Sequence, residues 1–218
     1  MRFVIQILLW LVIIFLAYLT VNAVYEPIQF NKVKEKRYTA VIKKLKDIRS
    51  AELAYKDVTG EFQGDFDKLV RFLDTAEFAI TQRRDTTFLD EEYKKTYGVD
   101  QYKESVIIDT LGFASVKDSI FKGDAERYRN MNKVTVDGLD EEIQLEAGTI
   151  KKGDNDIPVF EAKIAKSLVL YDQDKQLILQ ENEIQSVDDV NGRYISVGSM
   201  TEVSTSGNGF ASYGGDDN

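Results

Sequence analysis

Residues 3–25 read FVIQILLWLVIIFLAYLTVNAVY, and residues 26–56 after them read EPIQFNKVKEKRYTAVIKKLKDIRSAELAYK. The first stretch, Phe3 to Tyr25, contains no charged residue. At 1.5 Å of rise per residue it forms a helix about 34 Å long, against about 30 Å of hydrocarbon in a bilayer. The run predicts a transmembrane anchor over residues 1–25. Trp10 and Phe15 lie inside it, so Trp10 reads as a packing residue rather than a member of an interfacial belt. A cleaved signal peptide is the competing reading, since Val21-Asn22-Ala23 resembles a small-x-small cleavage site. Signal h-regions are about 7–15 residues long, and this run is longer and bulkier, which favours a retained anchor.

The second stretch has a different period. Tyr38, Val41, Ile42, Leu45, Ile48 and Tyr55 recur mostly in steps of three and four, with lysines between them. That predicts an amphipathic stem helix over residues 26–57, with its apolar stripe available for packing against neighbouring stems. A stripe of this kind also suits a helix laid on its own head domain, and the pattern alone leaves both readings open. Pro27 stands where the two stretches meet; proline inside a helix removes a hydrogen bond and kinks it, so the rod is expected to bend or restart there.

Charge is segregated along the chain. Residues 32–49 hold eight Lys/Arg against two Asp/Glu, whereas the residues from 50 onward hold 19 against 34. The acidic head disfavours nucleic acid as a partner. The basic flank suits anionic headgroups or acidic faces of neighbouring copies. Read by the positive-inside rule, the flank would hold the head in the cytoplasm, but long C-terminal domains translocate largely regardless of charge. The chain has no histidine and no cysteine, which removes the usual general base, thiol nucleophiles and most zinc chemistry. No phosphate-binding glycine loop or nucleophile elbow is present. Asp154, Asn155 and Asp156 cluster, as do Asp172 and Asp174, but neither group has the spacing of an EF-hand loop, and aspartates commonly serve turn geometry. No cofactor, metal or small-molecule substrate is expected.

Beyond the stem, Asp57–Gly64 reads as a turn and Asp65–Leu73 as a short helix. Ala76–Gln82 reads as a strand, the charged region 83–102 as an exposed excursion, Val106-Ile107-Ile108 as a short strand and Val116–Phe121 as a helical turn. Strands follow around Val134, over 143–147 with a turn at Gly148, over 158–162 and over 192–197, with a hairpin loop at 151–156. Residues 168–171 and 177–179 are further apolar segments. Residues 58–205 then form an α+β head, and the Gly/Ser/Asp-rich residues 206–218 a flexible tail.

An uncharged span, a proline at its exit, a long amphipathic helix, a glycine turn and an antiparallel sheet together resemble the pilin and pseudopilin plan. The hand-over from stem to head is Ile48-Arg49-Ser50-Ala51-Glu52-Leu53-Ala54-Tyr55 through Gly60-Glu61-Phe62. The stretches Phe66-Asp67-Lys68-Leu69, Leu145–Ile150 and Pro158–Ala162 resemble, more specifically, a family of single-span membrane proteins of Bacteroidota. The start, Met1-Arg2-Phe3-Val4-Ile5-Gln6, lacks the processing glycine and the early acidic residue of pilins. The resemblance implies a non-enzymatic inner-membrane component of a secretion or pilus-like assembly, its head in the periplasm, its partners the bilayer and other anchored subunits or copies of itself. The alternative is a membrane-tethered binding or scaffold module that forms no filament and that, by the basic flank, could face the cytoplasm.

Overall fold

The structure is a computed structural model that describes residues 2–186 and 189–208, leaving out the side chain of Asn22. It is an α+β protein built on one long helix, α1 (Arg2–Thr59), of 58 residues. The chain does not restart at Pro27, which lies inside α1. Proline has no N–H, so the Ala23 carbonyl one turn earlier lacks its helical donor. The helix ends at Gly60, whose φ of +85° suits glycine and whose N–H donates to the Lys56 carbonyl at 2.8 Å.

The core of the head packs on the second half of α1. Helix α2 (Phe66–Thr75) starts at Asp65, whose carboxylate accepts from the Lys68 N–H, and buries Leu69 and Leu73. Strands β1 (Glu77–Leu89) and β2 (Tyr102–Ser115) pair antiparallel as a long ribbon with α3 (Glu91–Tyr97) at its tip. The region 83–102, expected as an exposed excursion, is exposed and forms the outer part of that ribbon with α3: its charged and polar residues alternate across two strand faces with little covering either. Helices α4 (Val116–Phe121) and α5 (Ala125–Arg129) follow. Strands β3 (Lys133–Val136) and β4 (Leu139–Glu142) form a hairpin on an Asp137-Gly138 turn, both residues at positive φ.

The main sheet has the order β5-β6-β7, all antiparallel. β5 (Gln144–Lys152) runs straight through Gly148, which pairs with Val159, so the expected turn there is absent. β6 (Asn155–Ala165) is central yet contains Pro158. Its pairing with β7 (Tyr194–Gly198) starts only at Glu161, so the proline lies where the far edge of β6 is open. Helices α6 (Lys166–Val169) and α7 (Lys175–Asn182) link β6 to β7. β7 ends at Gly198, where a Cβ would stand 2.2 Å from the Phe160 carbonyl oxygen. Residues 206–208, which the sequence reading assigned to the tail, are tied to this strand: Gly198 N–H donates to Ser206 O at 3.0 Å, and Asn208 Nδ2 donates to Tyr194 O at 2.6 Å. The rest of the expected tail, 209–218, lies outside the described residues.

One core joins α1 to the head. Val41, Leu45, Ile48 and Ala51 meet Leu69, Leu73, Val116, Phe160, Ile195 and Val197, all of them buried. Stem and head therefore share their packing.

Candidate functional site

The two halves of α1 face different surroundings. In the first, the side chains expected to span a membrane stand uncovered: Phe3 is 79% exposed, Trp10 61%, Phe15 60% and Tyr25 57%. The helix passes the length and hydropathy test for a membrane span, with a mean hydropathy of 2.7 over its most apolar window and none of that window covered by the rest of the chain. Uncovered apolar side chains on this scale are costly in water, at about 25 cal/mol per Å².

In the second half, the expected stem residues face inward. Val41, Leu45 and Ile48 are fully enclosed by this chain's own head, and Tyr38 is nearly so. Ile42 and Tyr55 are half-buried against the same core, with the Tyr55 ring edge-on to Phe72 at 4.8 Å. The surface by which one stem could touch another is therefore not Val41, Leu45 and Ile48. Of the two readings the apolar stripe allowed, packing on the head is the one realised.

The basic flank is also partly used internally. Arg37 is 2% exposed. Its guanidinium donates to both Asp172 oxygens, at 2.6 and 2.9 Å, and to the carbonyls of Val169 and Asp137. That pairing holds the Asp172 carboxyl down at about 2 and raises the Arg37 pKa. Lys34, Lys166 and Tyr38 converge on the buried Glu181 carboxylate at 3.0 to 3.3 Å. Lys166, wholly buried, also donates to the Glu181 and Val190 carbonyls, so its ammonium has three acceptors. Burial still pushes its pKa down, against the attraction of Glu181. Arg127 grips Asp47 through Nε and Nη2. Lys36 pairs with Asp137, and Lys44 donates to the Asn130 carbonyl. Lys32 and Lys43 remain exposed.

Glu52 is the outlier. It is wholly buried, its Oε2 accepts from the Gln63 N–H at 2.8 Å, and its Oε1 has no partner. Desolvation lifts its pKa to about 8, so it is held largely as the neutral acid at pH 7. Its bond to Gln63 ties the glycine turn to α1.

Two further features of the described surface stand open. Beside α1 lies a groove of about 770 Å³ bordered by Lys34, Tyr38, Ile42, Lys43, Arg127 and Val190. The second is the β1–β2 ribbon. Ile80, Phe88, Tyr102, Ile108, Leu111 and Phe113 are all exposed along it, and no third strand pairs with it among the described residues.

No family model, curated protein or solved structure matches this chain.

Asp154, Asn155 and Asp156 lie at the β5–β6 hairpin, and the other two candidate aspartates have other work. Asp172 holds Arg37, and Asp174 caps α7 by accepting from Gln176 and Leu177 N–H. Among the described residues no three acidic side chains are grouped to hold a metal ion. Sequence reasoning missed the buried ion pairs, because Arg37 and Lys34 look like any other lysine-rich solvent face. It also missed the full length of the ribbon, whose signal was the alternation of Val106 and Ile108 with Ile107 continuing beyond one short strand.

Proposed function

We propose that this chain is a non-enzymatic, single-span membrane subunit of pilin-like architecture, acting in an envelope secretion or pilus-like assembly. One observation carries the reading: an unbroken α1 whose first half is apolar and uncovered and whose second half is built into the head. With no linker between span and head, the position of the head follows from the position of the span. A tethered binding module has no need of that coupling. An assembly in which neighbouring spans set neighbouring heads does.

In this reading the uncharged half of α1 sits in the inner membrane with the head in the periplasm. Lys34, Lys36, Arg37 and Lys44 each have a partner in the head, so these cations serve the fold and weigh less as a signal for the cytoplasmic side. Stems then meet through residues 3–28 and through the groove beside α1, not through the enclosed stripe. The chain has no cysteine, so single cysteines in the full-length protein give a clean test. Cysteine at Phe15 or Val24 is expected to crosslink between copies in native membranes, whereas cysteine at Val41 is not. Absence of crosslinks throughout the uncovered half, in cells making all native partners, would favour the tethered module.

A further inference from the structure

We infer that the free edge of β2 pairs antiparallel with β2 of a second copy, joining two ribbons into one four-stranded sheet about a two-fold axis at Val106. This deepens the assembly reading by naming the head surface it uses, but does not require the spans to touch.

The ribbon is unusual for a water-exposed element. It pairs Glu77 to Leu89 with Tyr102 to Ser115, shifts register once after Ile80, and is otherwise regular. Two strands alone are marginally stable in water. A long, unpaired, partly apolar edge invites another strand. Asp90 N–H donates to the Gln101 carbonyl at 2.7 Å, just beyond the last strand pair. Alternation of bonded and non-bonded pairs then sets the direction of every backbone group. Tyr102, Glu104, Val106 and Ile108 turn their N–H and C=O groups away from β1, as do Arg83, Asp85, Thr87 and Leu89 on the other edge.

Charge selects the edge and the register. In a two-fold antiparallel pairing, facing residues must both be outward-turned or both inward-turned, so one residue always faces its own twin. On β2, centring on Glu104 or Asp109 opposes like charges, and centring on Ser105, Ile107 or Ile108 opposes no opposite charges. Centring on Val106 sets Lys103 against Asp109 twice, with Ser105 facing Ile107. On β1, centring on Arg83 or Asp85 opposes each to itself without pairing opposite charges. Centring on Arg84 sets Arg83 against Asp85 twice but places the two Arg84 side chains face to face, and the registers at Gln82 and Thr86 pair no opposite charges, so that only the Val106 register gains opposite pairs with no like pair. The β2 edge at Val106 is thus the one favoured by charge. Lys103 now pairs with Asp90 at 2.7 Å, and Asp109 with Arg84. All four groups are on the surface or at its margin, and a carboxylate accepts more than one donor.

The test uses the full-length chain in detergent micelles. In the paired sheet the two Val106 Cα atoms stand about 5.5 Å apart, within disulfide reach. Val106→Cys is expected to form a disulfide-linked dimer under mild oxidation. Glu104→Cys or Ile108→Cys alone is not, but a mixture of the two is. Lys103→Asp should lower the Val106→Cys dimer yield about tenfold, and adding Asp109→Lys should restore it. A monomeric Val106→Cys chain would overturn the inference, as would equal crosslinking at 104, 106, 108 and Arg84→Cys, the mark of random collision. If Val106→Cys fails while Phe15→Cys crosslinks, the arm pairing falls and the stem assembly stands. The reverse result separates them the other way.

Discussion

The two halves of α1 invert each other. In residues 3–25 apolar side chains are on the outside and no charge is present; in residues 30–55 charged side chains, Arg37, Asp47 and Glu52 among them, are on the inside. A helix in water hides its apolar face and wets its charges. The second half departs from that rule where a partner pays for burial, as Asp172 does for Arg37 and Arg127 for Asp47, or where burial holds the group neutral, as at Glu52. The first half departs from it throughout, with no other part of the described chain covering it. The difference teaches that one half makes its own low-dielectric surroundings, and the other is suited to surroundings supplied from outside.

The largest effect should come from Leu45→Ala, which empties a fully enclosed site and is expected to cost about 3 kcal/mol. The matched change in the first half, Leu9→Ala, should leave head unfolding unmoved. Thermal denaturation in detergent compares the two, and equal losses would break the contrast. Next, Arg37→Met should cost about 2 kcal/mol, since it strands the Val169 carbonyl and frees Asp172. Asp172 is held at about 2, below its ordinary value, so the pair's stabilisation is present above about pH 4 and is lost as pH falls towards 2. Acid titration of the variant should lack that part of the loss.

Glu52 works with the opposite sign. Its folded pKa is raised to about 8 from 4.5, so its contribution is complete below pH 4.5 and is lost as pH rises through 8. Glu52→Gln should flatten this slope, gaining a few kcal/mol at pH 8 relative to pH 4.5, read by denaturant unfolding at both values. The smallest effect belongs to the ribbon. Ile108→Thr, at a site 65% exposed, should move stability by less than about 0.5 kcal/mol in the unpaired chain.

Much of the fold could be read from local pattern. The uncharged run, the glycine that ends α1, the helix begun by Asp65 and the strands of the main sheet each carry their signal within a few residues. Helices α5 and α7 also had one, the capping aspartates Asp124 and Asp174, but each is short and its apolar period is hidden. The Asp137-Gly138 hairpin was equally legible and went unread. Gly148 misled because a glycine in a strand looks like a turn until its partner, Val159, is known. The site was less legible for a physical reason. Whether Val41 faces a neighbour or the head, and whether Arg37 faces water or Asp172, depends on contacts distant in sequence, the Arg37–Asp172 separation being 135 residues.

The most direct test of the central claim is topology. A periplasm-active phosphatase and, separately, a cytoplasm-fluorescent reporter would be fused after Asn218, with each fusion checked for membrane association. The account expects phosphatase activity without fluorescence from a chain that stays in the membrane after alkaline extraction. Fluorescence without phosphatase activity, or release of the chain into the soluble fraction, would contradict it.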